Sequence, residues 1–335
     1  TGVGKRSGHR ELTREKVLDI MREGVPRLLK MGFGRENDLE AIEENGRLSG
    51  ADPNVLSKGA LGRTDQLATI GGGNHFIELD LVDEVHDLAL AEAFGLAAGN
   101  LTVMIHTGSR GLGHQICTEY SRSMADAAPG YGINLPSRGL AAVPISSMEG
   151  REYLAAMACA VNYAFSNRQL MTHDIRLAFG DVFGGDPTKL GLDLVYDVAH
   201  NIAKFEEHFG RRVLVHRKGA TRALAAGHPM NPPRYRGTGH PAIVPGSMGT
   251  ASYVLAGTEE TAESFFSVNH GAGRVLSRSA ARKSITEDEF KGSMGTVLYN
   301  TRNYRDIVDE APLAYKNIDQ VVETLAEIGM TRKVV

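Results

Sequence analysis

The sequence has no tryptophan and only two cysteines, Cys117 and Cys159. Two thiols supply neither a disulfide framework nor a cysteine-rich zinc site, so a reducing, cytoplasmic setting is expected. Both fall in segments that read as helices, where each is expected to act as a small buried hydrophobe. Also missing are an apolar run long enough to span a bilayer and a signal-peptide pattern at the start. Neither sign of charge prevails: 37 basic residues face 40 acidic ones, a formal net charge of −3. That balance argues against indiscriminate nucleic-acid binding but permits a local basic groove. The glycines fit neither the phosphate-binding lysine loop nor the dinucleotide fingerprint, which excludes both familiar nucleotide folds. No internal repeat or linker divides the chain.

What is present is an ordinary globular composition over 335 residues, 42% hydrophobic and 23% charged, with 39 glycines gathered beside histidines. Such glycines suggest loops shaped around a ligand. A single continuous α+β domain over 1–335 is the simplest reading. Residues 1–12 read as a basic, glycine-rich loop. Apolar spacing at Val17, Ile20, Met21, Val25, Leu28 and Leu29 predicts one amphipathic helix from Leu12 to about Met31. Alternation predicts a strand at Phe76–Val82, and a β-rich run covers Leu101–His106. Thr107–Gly113 then turns the chain into a helix from about His114 to Ala127, an arrangement that presents backbone N–H groups to an anion. Loop is expected over 131–148, including Arg138, and one or two long helices from Glu149 to about Phe179. Leu192–Tyr196 reads as a strand, Asp197–Phe209 as helix-like, and Arg211–Gly219 as a basic strand and turn. Further strands are expected at Ser252–Ala256 and Ser264–Val268.

The stretch that organises the rest is Val268-Asn269-His270-Gly271-Ala272-Gly273-Arg274. His270 stands between an expected strand end and a small-residue turn, where a bulky ligand can approach the backbone. Arg274 and Arg278, at helical spacing, are expected to share a face and offer planar forks to phosphate. His270 thereby becomes a candidate nucleophile toward phosphorus; a hydrogen-bonded histidine in a strand-to-helix turn is the plainer alternative. His75, His106 and His200 each adjoin a strand end or a small, polar segment, and neutral imidazole is the commonest metal ligand. Arg110, Arg211, Arg212, Arg217 and Lys218 are candidates for an RNA groove, with a solvated strand edge as the alternative. No aromatic stacking platform is evident.

Taken together, Gly73-Asn74-His75-Phe76-Ile77-Glu78, His106-Thr107-Gly108-Ser109-Arg110-Gly111, Ala199-His200-Asn201, Pro245-Gly246-Ser247-Met248-Gly249 and His270-Gly271-Ala272-Gly273-Arg274 resemble the RtcB family. Arg217-Lys218-Gly219-Ala220 and Ala314-Tyr315-Lys316 also fit. The resemblance implies an α+β fold of its own type, with sheets forming a central cleft and helices outside. It implies a GTP- and manganese-dependent RNA ligase. Such an enzyme joins an RNA 3′-phosphate or 2′,3′-cyclic phosphate to a 5′-hydroxyl through a histidine–GMP intermediate, in tRNA splicing or RNA repair. An archease-type activator is the implied protein partner.

By position, His270 corresponds to the guanylylated histidine, and His75, His106 and His200 to metal ligands. Asn74, His75, Phe76, Ile77, Glu78, His200, Asn201, Pro245, Gly246, Ser247, Met248, Ser252, His270, Gly271, Ala272 and Gly273 correspond to guanylate-binding positions. The family also carries an earlier Asp-x-Gly-Cys-Gly segment, which supplies metal ligands, and a lysine near its C-terminus. Neither occurs here, and the sequence starts at Thr1. The expectation is an incomplete family member with weakened metal binding and ligation. A metal-dependent phosphoesterase and a non-catalytic RNA-binding remnant are therefore the alternative functions.

Overall fold

The computed structural model describes residues 6–9, 11–137, 139–301 and 303–335. The predicted loop at 1–12 thus lies partly outside the described residues, and Arg138 wholly so. In chain order the helices and strands are α1 (Arg14–Glu23), α2 (Val25–Lys30), α3 (Lys58–Leu61), β1 (Phe76–Leu81), α4 (Leu88–Phe94), β2 (Leu101–His106), α5 (Arg110–Ala127), α6 (Met148–Phe183), β3 (Asn201–His208), β4 (Arg211–Lys218), β5 (Ala220–Arg222), β6 (Pro241–Val244), β7 (Tyr253–Gly257), β8 (Ser267–Asn269), α7 (Arg278–Ser284), α8 (Glu287–Met294), α9 (Ile318–Glu327) and β9 (Thr331–Lys333). Short 3₁₀ turns connect several of them. The mixture of helices with small sheets is α+β, as expected. Among the described residues no helix is long and apolar enough to cross a membrane.

The chain divides into two compact units, residues 1–77 with 105–197, and residues 78–104 with 198–335. The first unit is helical. Val17, Ile20 and Met21 of α1 pack with Leu112 and Ile116 of α5 and with Ala156, Cys159, Tyr163 and Leu170 of α6. α1 begins where the Thr13 side chain accepts from Lys16 N–H and ends at Gly24, φ +65°. A side chain there would also strike the Gly46 carbonyl oxygen at 2.2 Å, so only glycine fits. The single helix predicted over 12–31 is therefore two, α1 and α2. By contrast the 149–179 region is one unbroken helix, started by Ser147 and stopped by Gly184 in a left-handed cap. Buried Arg176 of α6 grips Asp38 through both Nη atoms, at 2.7 and 2.8 Å. Burial alone would raise the Asp38 pKa, but the Arg176 hydrogen bonds hold it below the usual carboxylate range.

In the second unit β3 pairs antiparallel with β4, β5 with β8, and β7 with both β6 and β9. One apolar core joins Ala242, Val244, Leu255 and Val268 to Ile318 and Val322 of α9. Another gathers Ala281, Phe290, Met294 and Val308 around α7 and α8. Glu78–Leu81 of β1 and Leu101–Met104 of β2 belong to this unit.

Several expectations are corrected. Asp197–Phe209 is not helical: β3 occupies Asn201–His208, with Ile202, Lys204, Glu206 and His208 on its buried face. Leu192–Tyr196 is not a strand. The Leu192 carbonyl is held by side chains, Arg176 Nε at 2.9 Å and Arg35 Nη1 at 3.4 Å, in place of a ladder. Of the predicted Ser264–Val268 strand only Ser267 and Val268 are in a strand, β8, which runs on to Asn269; Phe265 and Phe266 adopt positive φ. Cys159 is buried as expected, but Cys117 is exposed.

Candidate functional site

The second unit holds His270 immediately after β8. The pairing of Ala220 with Asn269 brings the β4–β5 turn alongside. Gly219 makes that turn at φ +70°. Its carbonyl accepts from His270 Nδ1 at 2.8 Å, and its N–H donates to the His200 carbonyl at 2.8 Å. The contact to a carbonyl requires the proton on Nδ1, which leaves Nε2 as the nitrogen with the lone pair. Burial lowers the His270 pKa; the Gly219 hydrogen bond opposes it, and the Lys218 charge lowers it a little further. The lowered pKa favours the neutral ring. The His200 ring stacks on it at 4.2 Å between centroids.

The glycine-rich segments pack together in the same unit. Ala272 N–H donates to the Pro245 carbonyl at 3.1 Å, and a Cβ at Gly271 would stand 3.2 Å from that same oxygen. At Gly246 a Cβ would fall 2.1 Å from the Ala251 carbonyl oxygen and 2.4 Å from Thr250 Oγ1. Gly246 N–H donates to Ser252 Oγ at 3.2 Å, and that hydroxyl donates to Glu78 Oε1 at 3.4 Å. Burial, followed by repulsion from Asp80 on the same face of β1, pushes the Glu78 pKa up to about 7. Glu78, His200, Pro245, Gly246, Ser252 and His270–Gly273 are thereby linked by direct contacts within one unit. Asn201 begins β3 opposite Lys218. Ser247 N–H donates to Thr250 Oγ1 at 2.7 Å, which shapes the loop that continues to Met248.

The first unit holds His75 and His106. Their rings lie 6.4 Å apart and nearly parallel, and Phe76 meets His106 edge-on at 5.1 Å. Thr107 Oγ1 hydrogen-bonds His75 Nδ1 at 3.2 Å. Asn167 of α6 supports this corner by donating to the Thr69 and Gly108 carbonyls at 3.2 and 3.1 Å. Arg168 donates to the Thr107 carbonyl at 3.0 Å and to Asp197 Oδ1 at 2.7 Å. Burial raises the Asp197 pKa to about 6, against the pull of Arg168. Arg110 takes φ +55° and donates from Nε to Thr69 Oγ1 at 3.0 Å. Sequence reasoning did not single out Asn167 or Arg168, and it assigned Thr107 and Gly219, though both lie in the quoted motifs, no role of their own. The available signal was the polar run Ser166-Asn167-Arg168-Gln169, which follows the apolar stretch Leu154–Val161 in the same helix.

Three expectations about cations and anions change. Arg274 and Arg278 do not share a helix turn, because α7 starts only at Arg278. Both instead meet Glu310, Arg274 Nη1 at 3.2 Å and Arg278 Nε at 3.3 Å. Arg217 is not on a solvated face. It is 3% exposed and binds Glu206 through both Nη atoms at 2.7 and 2.9 Å. Arg211, Arg212 and Lys218 are exposed. Lastly, the Gly111 N–H at the start of α5 is taken by Gln66 Oε1 at 2.9 Å, which reduces the donors this helix end offers an anion.

His270 is thus a histidine held through Nδ1, with close-packed glycine segments beside it. Residues 1–335 match the family described as tRNA-splicing ligase RtcB, and the chain belongs to that family. A tRNA-splicing ligase RtcB of Pyrococcus furiosus is 47% identical over 343 residues, covering 100% of this chain and 35% of its own length. Those of Thermococcus kodakarensis and Archaeoglobus fulgidus are 45% and 46% identical, with 100% of this chain and 71% of each relative covered. The chain spans between 35% and 39% of the length of the three Pyrococcus relatives.

Proposed function

We propose that this chain carries the nucleotidyl-transfer centre of a GTP-dependent RNA ligase, joining RNA 3′-phosphate or 2′,3′-cyclic phosphate ends to 5′-hydroxyl ends in tRNA splicing or RNA repair. The supporting observation is the 2.8 Å bond between His270 Nδ1 and the Gly219 carbonyl. In the reaction Nε2 attacks the α-phosphorus of GTP, the N–P bond forms, the α–β bridging P–O bond breaks and pyrophosphate leaves. The ring becomes cationic without losing a proton, and the Gly219 carbonyl stabilises the charge that develops on Nδ1–H. The guanylyl group then passes to the RNA 3′-phosphate, and His270 returns to its neutral state. Attack by the 5′-hydroxyl on the activated phosphate releases GMP.

Asn74 to Glu78, His200, Asn201, Pro245 to Met248, Ser252 and His270 to Gly273 are the proposed guanylate contacts. Glu78, half-protonated near neutral pH, would accept from N–H donors on a base edge. His75, His106 and His200 are the proposed ligands of manganese. The donor chemistry fits: neutral imidazoles suit a borderline divalent cation, and the Thr107 hydroxyl holds the orientation of His75. Manganese bound there would neutralise phosphate charge. Arg110, Arg211, Arg212 and Lys218 are the proposed RNA contacts. A cytoplasmic location and an archease-type activator complete the proposal.

Incubation with α-labelled GTP and manganese tests the reading. Label should stay on denatured wild-type protein and be absent from His270→Ala. Persistent label in that variant would refute the assignment, and RNA phosphate loss with no label would favour a phosphoesterase.

A further inference from the structure

The β3–β4 hairpin turns through Phe209 and Gly210, with φ of +52° and +70°. A two-residue turn with both φ positive is of the kind for which Asn-Gly is the favoured pair. A phenylalanine at positive φ is a genuine backbone outlier. It has no compensating burial, since Phe209 is 74% exposed. Phe265, also at positive φ (+57°) and 40% exposed, meets Phe209 edge-to-face at 5.7 Å. On the outer face Phe205 is 43% exposed, and the Arg212 guanidinium lies over its ring at 4.7 Å. Exposed Arg211 stands opposite His208 in the register, beside the turn. One exposed acid, Glu207, opposes Arg212; the other, Glu206, is buried against Arg217. A strained, solvent-facing aromatic at the turn, with exposed arginines on the same hairpin, complements an unpaired polynucleotide. Bases supply π-faces for the rings, and phosphates supply charge for the guanidiniums.

We infer that the tip of this hairpin is a stacking platform for single-stranded RNA, on which Phe209 and Phe205 take unpaired bases while Arg211 and Arg212 hold the adjoining phosphates. This deepens the proposed ligase reading, on which its RNA substrate class rests. It also revises the sequence reading, which found no stacking platform because Phe209 and Phe265 meet only through the fold.

The probe is a fluorescent oligoadenylate of about ten nucleotides with a 5′-phosphate and a 3′-hydroxyl, which the proposed ligation cannot join. Its anisotropy is followed with the whole protein. Phe209→Asn suits the turn better than Phe, so the variant should melt at or above the wild-type temperature. Its affinity for the single strand should fall about tenfold, the loss of one base stack. Phe209→Trp should restore binding. Arg211→Ala and Arg212→Ala should each lower the slope of log affinity against log salt by about 0.7, whereas Phe209→Asn should leave it unchanged. Equal loss with a duplex of the same sequence would overturn the platform, as would unaltered binding by Phe209→Asn. Sedimentation showing a wild-type dimer that Phe209→Asn dissociates would overturn it in favour of a contact between copies. Labelling by α-labelled GTP should be the same in wild type and Phe209→Asn. Failure of wild type to label would sink the ligase reading, and the binding comparison would still decide the platform.

Discussion

Gly71→Ala is expected to disable the His75 corner through sterics alone. The Gly71 backbone is in a region open to any residue, so alanine brings no torsional penalty. Its Cβ, however, would sit 2.2 Å from His75 Nδ1 and 2.3 Å from Arg110 Nη1. Ordinary van der Waals contact begins near 3.4 Å, so the imidazole must retreat by about 1.2 Å. That movement disrupts the 3.2 Å bond to Thr107 Oγ1, because the nitrogen that must retreat is the one that makes it. Overpacking of this kind costs about 1–3 kcal/mol of stability. At about 2–4 °C per kcal/mol, the melting temperature should drop by no more than roughly 12 °C, so the variant stays folded at 25 °C. A catalytic group displaced by about 1 Å commonly loses about a hundredfold in rate.

The assay is the rate of His270 labelling with α-labelled GTP across a manganese titration, with calorimetry of manganese binding alongside. Gly108→Ala is the control, since a Cβ there would meet nothing within 4 Å. Gly71→Ala should label about a hundredfold more slowly and bind manganese more weakly, while Gly108→Ala should match wild type. Wild-type labelling and metal affinity in Gly71→Ala would show that His75 has no part in the site. Equal defects in both variants would mean that the loop and not the imidazole matters.

Thr107→Val keeps the shape but removes the hydroxyl that orients His75; manganese affinity should fall about 10–100-fold, and Thr107→Ser should recover it. An unchanged titration would exclude Thr107 from metal binding. Arg217→Met leaves buried Glu206 without its bidentate partner and should cost about 3–5 kcal/mol in denaturant unfolding. A loss under 1 kcal/mol, the size of a surface pair, would contradict that burial. Glu78 has a folded pKa of about 7, above its ordinary 4.5. Its contribution to stability is therefore complete below pH 4.5 and is lost as pH rises through 7. Glu78→Gln, which mimics the protonated form, should match the wild-type melting temperature at about pH 4.5 and exceed it at about pH 8. Equal differences at both pH values would refute the raised pKa.

Much of the site was legible because its determinants are local. The bounds expected for β2 are those observed, since Leu101–Ile105 is β-rich and ends at a histidine. The Gly-rich segments signalled close packing, and Gly71, Gly246 and Gly271 do crowd their neighbours. What was not legible depends on partners distant in sequence. Gly219 and His270 are 51 residues apart, so nothing near His270 announces what holds its Nδ1. Arg274 and Arg278 were read as phosphate forks because Glu310 lies more than thirty residues away. The break at Gly24 was hidden for a similar reason, since the obstacle is the carbonyl of Gly46.

The largest error, β3 read as helix, comes from the same cause in sharper form. Strand recognition relies on hydrophobicity alternating between faces. In β1 the alternation survives although its sense is inverted: Glu78 and Asp80 are the more buried, while Ile77, Leu79 and Leu81 are exposed. In β3 the buried face carries Ile202, Lys204, Glu206 and His208, and the outer face carries Phe205 and Glu207. Neither face is uniformly apolar, so no period-two signal exists. An isolated charge could not be buried there. Burial alone would raise the Glu206 pKa. The Arg217 hydrogen bonds dominate, followed by those from His208 and the nearby Lys204 charge, and bring it down to about 2. The strand is thus stable only as half of a pair, and its partner β4 decides which face is inside. The same dependence separates Arg217 from Lys218. They are adjacent in a basic run, yet one is sealed against Glu206 and the other is open to solvent. A run of charges on a strand therefore implies a solvated, phosphate-binding face only after the cross-strand acids are known, which is why half of such a run can be structural and half functional.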